Sequence, residues 1–231
     1  MIKAYLTIDD VTTALTPGII DFLNSKNITP IMFCWGEHLL EHENEAIYAL
    51  KHGAILQNHS YSHPHFSTLG IFKIKREIMK NERIINALYE KADVSRPFKL
   101  FRFPFGDSGA HNAGFIQEFL SKNGFNHIDD TAFAENDYFK PGQKNTLDVL
   151  WTFDFAEYNL REGNPFTFND VIHNVKTFIS LHEDDPDDDK AHHIVLIHDH
   201  EETEAMHPGY FKEQINMLLD AGVKFVSPKV Q

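Results

Sequence analysis

Residues 2–34, IKAYLTIDDVTTALTPGIIDFLNSKNITPIMFC, hold one complete unit of the fold. Ile2 to Ile8 is an apolar run with the composition of a buried strand, and it closes on two carboxylates, Asp9 and Asp10. Thr16 followed by Pro17 has the form of a helix cap with proline in the first turn, and that helix runs to about Lys26. Ile28 to Cys34 is the next apolar run. Strand, helix and strand in this order predict parallel strands covered by a helix.

The alternation continues outward from this unit. Glu37 to His52 is helical in composition, with Gly53 as its stop, and Ala54 to Gln57 is a short strand. Between Ser67 and Glu90, Ile71, Ile74, Ile78, Ile85 and Leu88 recur at spacings of three, four and seven, one face of a long amphipathic helix. Lys99 to Arg102 reads as a strand, Gly109 to Lys122 as a helix, Leu147 to Phe155 as a strand and Asn169 to Leu181 as a helix. Ile194 to Ile197 is a strand running into His198, Gly209 to Asp220 the last helix and Val223 to Val226 the last strand. About seven such units with no Gly-rich phosphate turn predict an α/β fold of the closed βα-barrel type, as a single domain over residues 1–231, rather than an open doubly wound sheet.

Composition narrows the partners. The chain has 231 residues, 42% of them hydrophobic, ample to bury one core. Against 34 Asp and Glu stand 21 Lys and Arg, a formal charge of −13, which argues against a nucleic-acid or anionic-membrane surface. No apolar run approaches the roughly 20 residues of a membrane span. No basic and apolar export leader precedes the first strand, which at face value predicts a cytoplasmic protein. The single Cys34 excludes an intrachain disulfide and reads as a small buried hydrophobe. The acidic run 183–189 reads as a solvated loop, because a calcium loop would need a turn glycine that it lacks.

Histidine occurs 15 times, more than a core needs, and points to metal or proton-transfer chemistry. The candidates stand where predicted strands end: Asp9 and Asp10, His59 and His63, Arg102, Asp154 and Glu157, and His198. In a βα barrel those ends open onto one face. His59 and His63 are four apart, which on a helical turn puts both imidazoles within reach of one ion. Two histidines and one carboxylate leave open positions for water, as a catalytic metal needs. Taken alone, each pair has a blander reading: surface histidines, and a turn-capping Asp pair. His192 and His193 read as surface or capping residues. Asp199 and His200, next to His198, read as solvent-exposed, with a supporting role behind the site as the alternative. Trp35 either lines a groove or packs in the core.

In order, the motifs are Leu6-Thr7-Ile8-Asp9-Asp10, Asn58-His59-Ser60-Tyr61-Ser62-His63-Pro64, Phe101-Arg102-Phe103-Pro104-Phe105-Gly106, Trp151-Thr152-Phe153-Asp154 and Leu196-Ile197-His198. This ordered set resembles the polysaccharide deacetylases of carbohydrate esterase family 4, the NodB-homology domain. The resemblance implies a distorted barrel of seven or eight βα units. It also implies a divalent metal on Asp10, His59 and His63, usually zinc, with Co²⁺, Ni²⁺ or Mn²⁺ as alternatives. Asp9 would be the base, Arg102 its charge partner and His198 the general acid. Phe105 would lend a backbone N–H to the oxyanion, and Leu196 would floor the acetyl pocket. Such an enzyme takes acetyl from a carbohydrate, and family members act on envelope polymers outside the cytoplasm, so an extracytoplasmic location is implied if a leader has been removed.

The chain departs from the family in two places. Val11-Thr12 replaces the glycine that commonly follows the paired aspartates. Asp154-Phe155-Ala156-Glu157-Tyr158 replaces Asp-x-x-Asp-Trp, so either Glu157 or Asp154 supports His198, and Tyr158 takes the aromatic position of the groove. Two alternatives follow: a related deacylase acting on a small C–N substrate, or a carbohydrate-binding homologue without turnover.

Overall fold

The computed structural model describes residues 2–128, 146–184 and 192–231. Among them a parallel sheet runs in the order β3-β2-β1-β5-β4, with β1 Lys3–Val11, β2 Ile31–Cys34, β3 Ile55–Asn58, β4 Phe153–Asp154 and β5 His193–His198. The short β6, Lys224–Phe225, pairs with Lys3 and Ala4 at the start of β1, before β1 meets β2 at Thr7. Of the nine residues of β1 seven are buried, as expected of a central strand covered on both faces.

Beyond β3 the sheet continues through single residues. Phe101 bridges Asn58 on one side and Asp148 on the other, and Val149 N–H donates to the Phe101 carbonyl at 2.7 Å. A few residues later Thr152 N–H donates to the Ile194 carbonyl at 2.9 Å and β4 joins β5. The segment 148–154 therefore touches both ends of the sheet and closes a distorted α/β barrel. The continuous strands expected at Lys99–Arg102 and Leu147–Phe155 are reduced to these bridges and the short β4: Asn58 exchanges backbone bonds with Leu100 and Arg102, and side chains take others of their ladder bonds. Gln57 Oε1 accepts from Leu100 N–H at 2.6 Å, Asn126 Oδ1 from Lys99 N–H at 2.9 Å, and the Arg102 guanidinium donates to the Val149 and Leu150 carbonyls.

Helices cover the sheet: α1 Thr16–Ser25, α2 Gly36–Glu41, α3 Glu43–Lys51, α4 Ile71–Ala92, α5 Ala113–Lys122, α6 Phe168–His182, α7 Glu201–Met206 and α8 Tyr210–Asp220. The helix expected over Glu37–His52 breaks at His42, which leaves helical geometry at φ −116° and ψ 46°. Thr16 does not cap α1, which starts one residue earlier in register; its hydroxyl turns instead to Asp199 at 2.6 Å. The stripe Ile74, Ile78, Ile85 and Leu88 of α4 is buried as its spacing predicts, while Ile71 is 41% exposed. Of the acidic run 183–189, Glu183 and Asp184 are exposed; the rest lies outside the described residues. His192 and His193 are buried rather than superficial, His192 stacking on Tyr5 and His193 meeting Phe178. No helix among the described residues is long and apolar enough to cross a membrane.

Candidate active site

The carboxyl ends of β1, β3 and β5 bring their polar residues to one cleft. At the first corner, His59 donates from Nδ1 to the Arg102 carbonyl at 2.9 Å, which leaves the Nε2 lone pair facing the cleft. His63 Nε2 lies 3.2 Å and His59 Nε2 3.8 Å from Asp10 Oδ1, and one ligand atom from each residue falls within 4.8 Å of the others. The spacing of four works here through an irregular loop, not the helical turn expected: Ser60 and His63 adopt φ of +68° and +52°, and Asp10 +61°. The buried Glu77 of α4 holds this loop, accepting from the N–H groups of Tyr61 and Ser62 and from the Ser62 hydroxyl at 2.8–3.2 Å.

This corner fits a divalent cation. Asp10 Oδ1 is buried with no hydrogen-bond partner. Burial, and secondarily the neighbouring His59, lowers the His63 imidazole to about 4, so it is neutral at pH 7. Burial works to raise Asp10, but the hydrogen bond from His200 and the charges of His63 and His59 hold it well below the usual carboxylate range. A neutral imidazole at His63 and an ionised carboxylate at Asp10 are protonation states that metal ligation requires.

Asp9, beside the corner, stays outside the set of three. Its Oδ1 accepts from Arg102 Nη1 at 2.7 Å, while Oδ2 faces His59 Nε2 at 3.6 Å. Arg102 is fully buried; besides Asp9 and the two carbonyls it donates to the Thr7 hydroxyl at 2.9 Å, and the Phe33 ring covers it at 4.3 Å. Its bonds leave Asp9 one free oxygen and one orientation.

At the second corner Glu157, fully buried, comes from a 3₁₀ turn over Glu157–Asn159. Its Oε1 accepts from His198 N–H at 2.5 Å and pairs with His198 Nδ1 at 3.0 Å. Burial opposes charge on His198, yet the Glu157 carboxylate more than offsets it and raises the imidazole to about 10. Of the two carboxylates that could support His198, the structure gives the hydrogen bond to Glu157. Asp154 instead accepts from Ala156 N–H at 2.8 Å and lines the cleft, its carboxyl raised to about 6 by burial, with the Glu157 charge adding to the rise.

The cleft between the corners encloses about 350 Å³. Leu196 lines it, Tyr158 sets its ring edge-on to His198 at 4.8 Å, and Phe105, at φ +57°, exposes 60% of its surface at the lip. Trp35 is not part of the lining: it stands at the start of α2 just past β2, with its ring 5.5 Å from that of His63 and 3.9 Å from that of His38. Three lining residues escaped the sequence reading: Phe103, Trp151 and Arg161. His200 also lines the cleft and, against the exposure favoured for it, takes the alternative supporting place, binding Asp10 Oδ2 through Nε2 at 2.8 Å, while Asp199 is fully buried under the Thr13 and Thr16 hydroxyls. The signal was present as His198-Asp199-His200, since extended chain sends alternate residues to the same side.

Three kinds of likeness bear on this cleft. The peptidoglycan-N-acetylglucosamine deacetylase of Bacillus cereus is 31% identical over 103 residues, 44% of this chain but 36% of that protein, so the chain spans little more than a third of that relative. Among solved structures, a peptidoglycan N-acetylglucosamine deacetylase matches with a TM-score of 0.66 at 20% identity, over 97% of this chain and 85% of its own. The family 4 carbohydrate esterase of Streptomyces lividans, solved with acetate, matches at 0.63 and 20%, over 97% and 92%. A family 4 pseudoenzyme of Bacillus anthracis shares the fold too, at 0.62 and 18%, over 97% of this chain and 62% of its own. Finally, the family described as polysaccharide deacetylase matches residues 2–124, just over half of the sequence and the part that carries Asp9, Asp10, His59, His63 and Arg102. The chain belongs to the polysaccharide deacetylase family.

Proposed function

We propose that this chain is a metal-dependent hydrolase that removes acetyl groups from an N-acetylated carbohydrate, with O-acetyl esters as secondary substrates. Asp10, His59 and His63 would hold the divalent ion, zinc first among Zn²⁺, Co²⁺, Ni²⁺ and Mn²⁺. Such an ion, when bound, lowers the pKa of water to about 7 and polarises a carbonyl oxygen.

The protein supplies the rest. Asp9, fixed through Oδ1 by Arg102, offers Oδ2 to the proton of the attacking water. The Phe105 turn carries its backbone N–H to the lip, where it would meet the oxyanion. His198, kept protonated by Glu157, gives a proton to the leaving amine, without which the intermediate would collapse backwards. Leu196 suits the acetyl methyl, and the Tyr158 and Phe105 rings suit the faces of a sugar. The observation that carries this reading is the pairing on one cleft of a carboxylate bound to arginine with an imidazole bound to a buried carboxylate.

The test is hydrolysis by the zinc-loaded chain of N-acetylglucosamine oligomers of increasing length and of small acetyl esters. Asp9→Asn should lower kcat by about 10²–10⁴-fold while sparing metal. An Asp9→Asn variant near full activity, or silence of the wild type on every N-acyl and O-acyl substrate, would refute the proposal. Rates rising with oligomer length identify a polymer groove; flat rates identify a small substrate.

A further inference from the structure

The two oxygens of Asp10 have different surroundings. Oδ1 is buried without a hydrogen bond and faces Nε2 of His63 and of His59 at 3.2 and 3.8 Å. Oδ2 accepts from His200 Nε2 at 2.8 Å.

The backbone leaves His200 little freedom in this. Past the end of β5, Asp199 N–H donates to the Asp9 carbonyl at 3.1 Å. The buried Tyr210 hydroxyl donates to the His198 carbonyl at 2.5 Å and accepts from His200 N–H at 3.2 Å. The Asp199 side chain is anchored by Thr13 and Thr16 at 2.7 and 2.6 Å. Three consecutive residues are thus tied down, with His198 and His200 lining the cleft and Asp199 turned to α1 and the loop before it.

We propose that His200 is a positioning residue for Asp10: its Nε2–H holds Oδ2, so that Oδ1 alone is turned to the cation. The proposal rests on the metal reading above. A ligand carboxylate without such a partner can swing or offer both oxygens, and losing an outer partner of this kind typically weakens metal binding by about 10–100-fold.

The test measures Zn²⁺ affinity of the full chain by competition with a chromophoric chelator, and records the visible spectrum of the Co²⁺ form. His200→Ala should bind Zn²⁺ about 10–100-fold more weakly at an unchanged unfolding midpoint. His200→Gln, whose amide can donate to the same oxygen, should recover most of that loss with the wild-type Co²⁺ spectrum. Affinity of His200→Ala within twofold of wild type overturns the positioning role and leaves the metal reading standing. A Gln variant as weak as Ala, with a changed Co²⁺ spectrum, makes His200 a direct ligand and also overturns the role. Wild-type binding that Asp10→Ala does not weaken overturns both readings.

Discussion

Two histidines face the same cleft in opposite states. His63 is pushed down to about 4 by burial among groups of its own kind, while His198 is lifted to about 10 by a carboxylate that outweighs its burial. The difference lies in what each corner opposes to desolvation. At the metal corner Asp10 and Asp9 do favour an imidazolium, but Asp9 is shared with Arg102 and Asp10 with His200, and burial together with the neighbouring His59 outweighs their pull on His63. At the acid corner Glu157 is fully buried, and His198 is its hydrogen-bond partner on one oxygen while the other has none. One residue type is thereby fitted to ligation on one side and to proton donation on the other.

The metal corner breaks most severely at Arg102. Arg102→Met should remove a fully buried cation and leave Asp9 and the Val149 and Leu150 carbonyls without their donors. Breaking a buried pair from one side costs about 3–5 kcal/mol. Denaturant unfolding should show a loss of that size, and kcat should fall by at least about 10²-fold. A variant that keeps wild-type stability would mean that the corner is set by its backbone turns and not by charge.

The acid corner should break in its pH dependence. In Glu157→Gln the carboxylate that raises His198 most is gone, burial that lowers it remains, and only the weaker pull of Asp10 and Asp154 still opposes burial. The alkaline limb of the kcat profile should therefore move down from near pH 10 toward the ordinary histidine range, and activity at pH 8 should fall relative to that at pH 6. The stability signature has a definite sign. A histidine whose folded pKa is raised from 6.5 to about 10 contributes stability that is complete below pH 6.5 and lost as pH climbs toward 10. Unfolding midpoints across that window should decline in the wild type more than in Glu157→Gln. Equal slopes would show that the ion pair does not hold this corner.

How far each corner was legible in the sequence follows from how it is built. The metal corner is built from two local pairs, aspartates on a strand end and histidines four apart, each visible but weak by itself; joining Asp10 to His59 and His63, distant in the chain, comes from the resemblance of the ordered motifs. That the loop uses left-handed residues at Ser60 and His63 was hidden, since neither is glycine. At the acid corner the choice between Asp154 and Glu157 depends on a turn entered through Ala156 at φ +60°, which no periodicity announces. The same limit explains the barrel seam. Lys99–Arg102 and Leu147–Phe155 have strand composition and keep some backbone ladder bonds, but others go to Gln57, Asn126 and Arg102 side chains, a substitution that depends on the finished fold. The short α7, Glu201–Met206, has one buried residue, Thr203, too little to mark a face.

The smallest expected effect comes from the one group that serves both corners. The Tyr210 hydroxyl clips the His198 carbonyl to the His200 N–H, so Tyr210→Phe leaves two partly buried backbone groups without that partner at a cost of about 1 kcal/mol. Neither histidine should move far. His198 N–H is still held by Glu157 and Asp199 N–H by the Asp9 carbonyl, bonds that the substitution does not touch. Unfolding should register the loss, while Zn²⁺ affinity stays within about threefold of wild type, well short of the 10–100-fold expected for an outer partner of a ligand. The alkaline limb should shift less than in Glu157→Gln, because the carboxylate that sets it is intact. If zinc affinity drops with the limb unmoved, His200 depends on the clip and His198 does not, and the metal corner is the more loosely built of the two. If the limb moves and zinc is unaffected, the order is reversed.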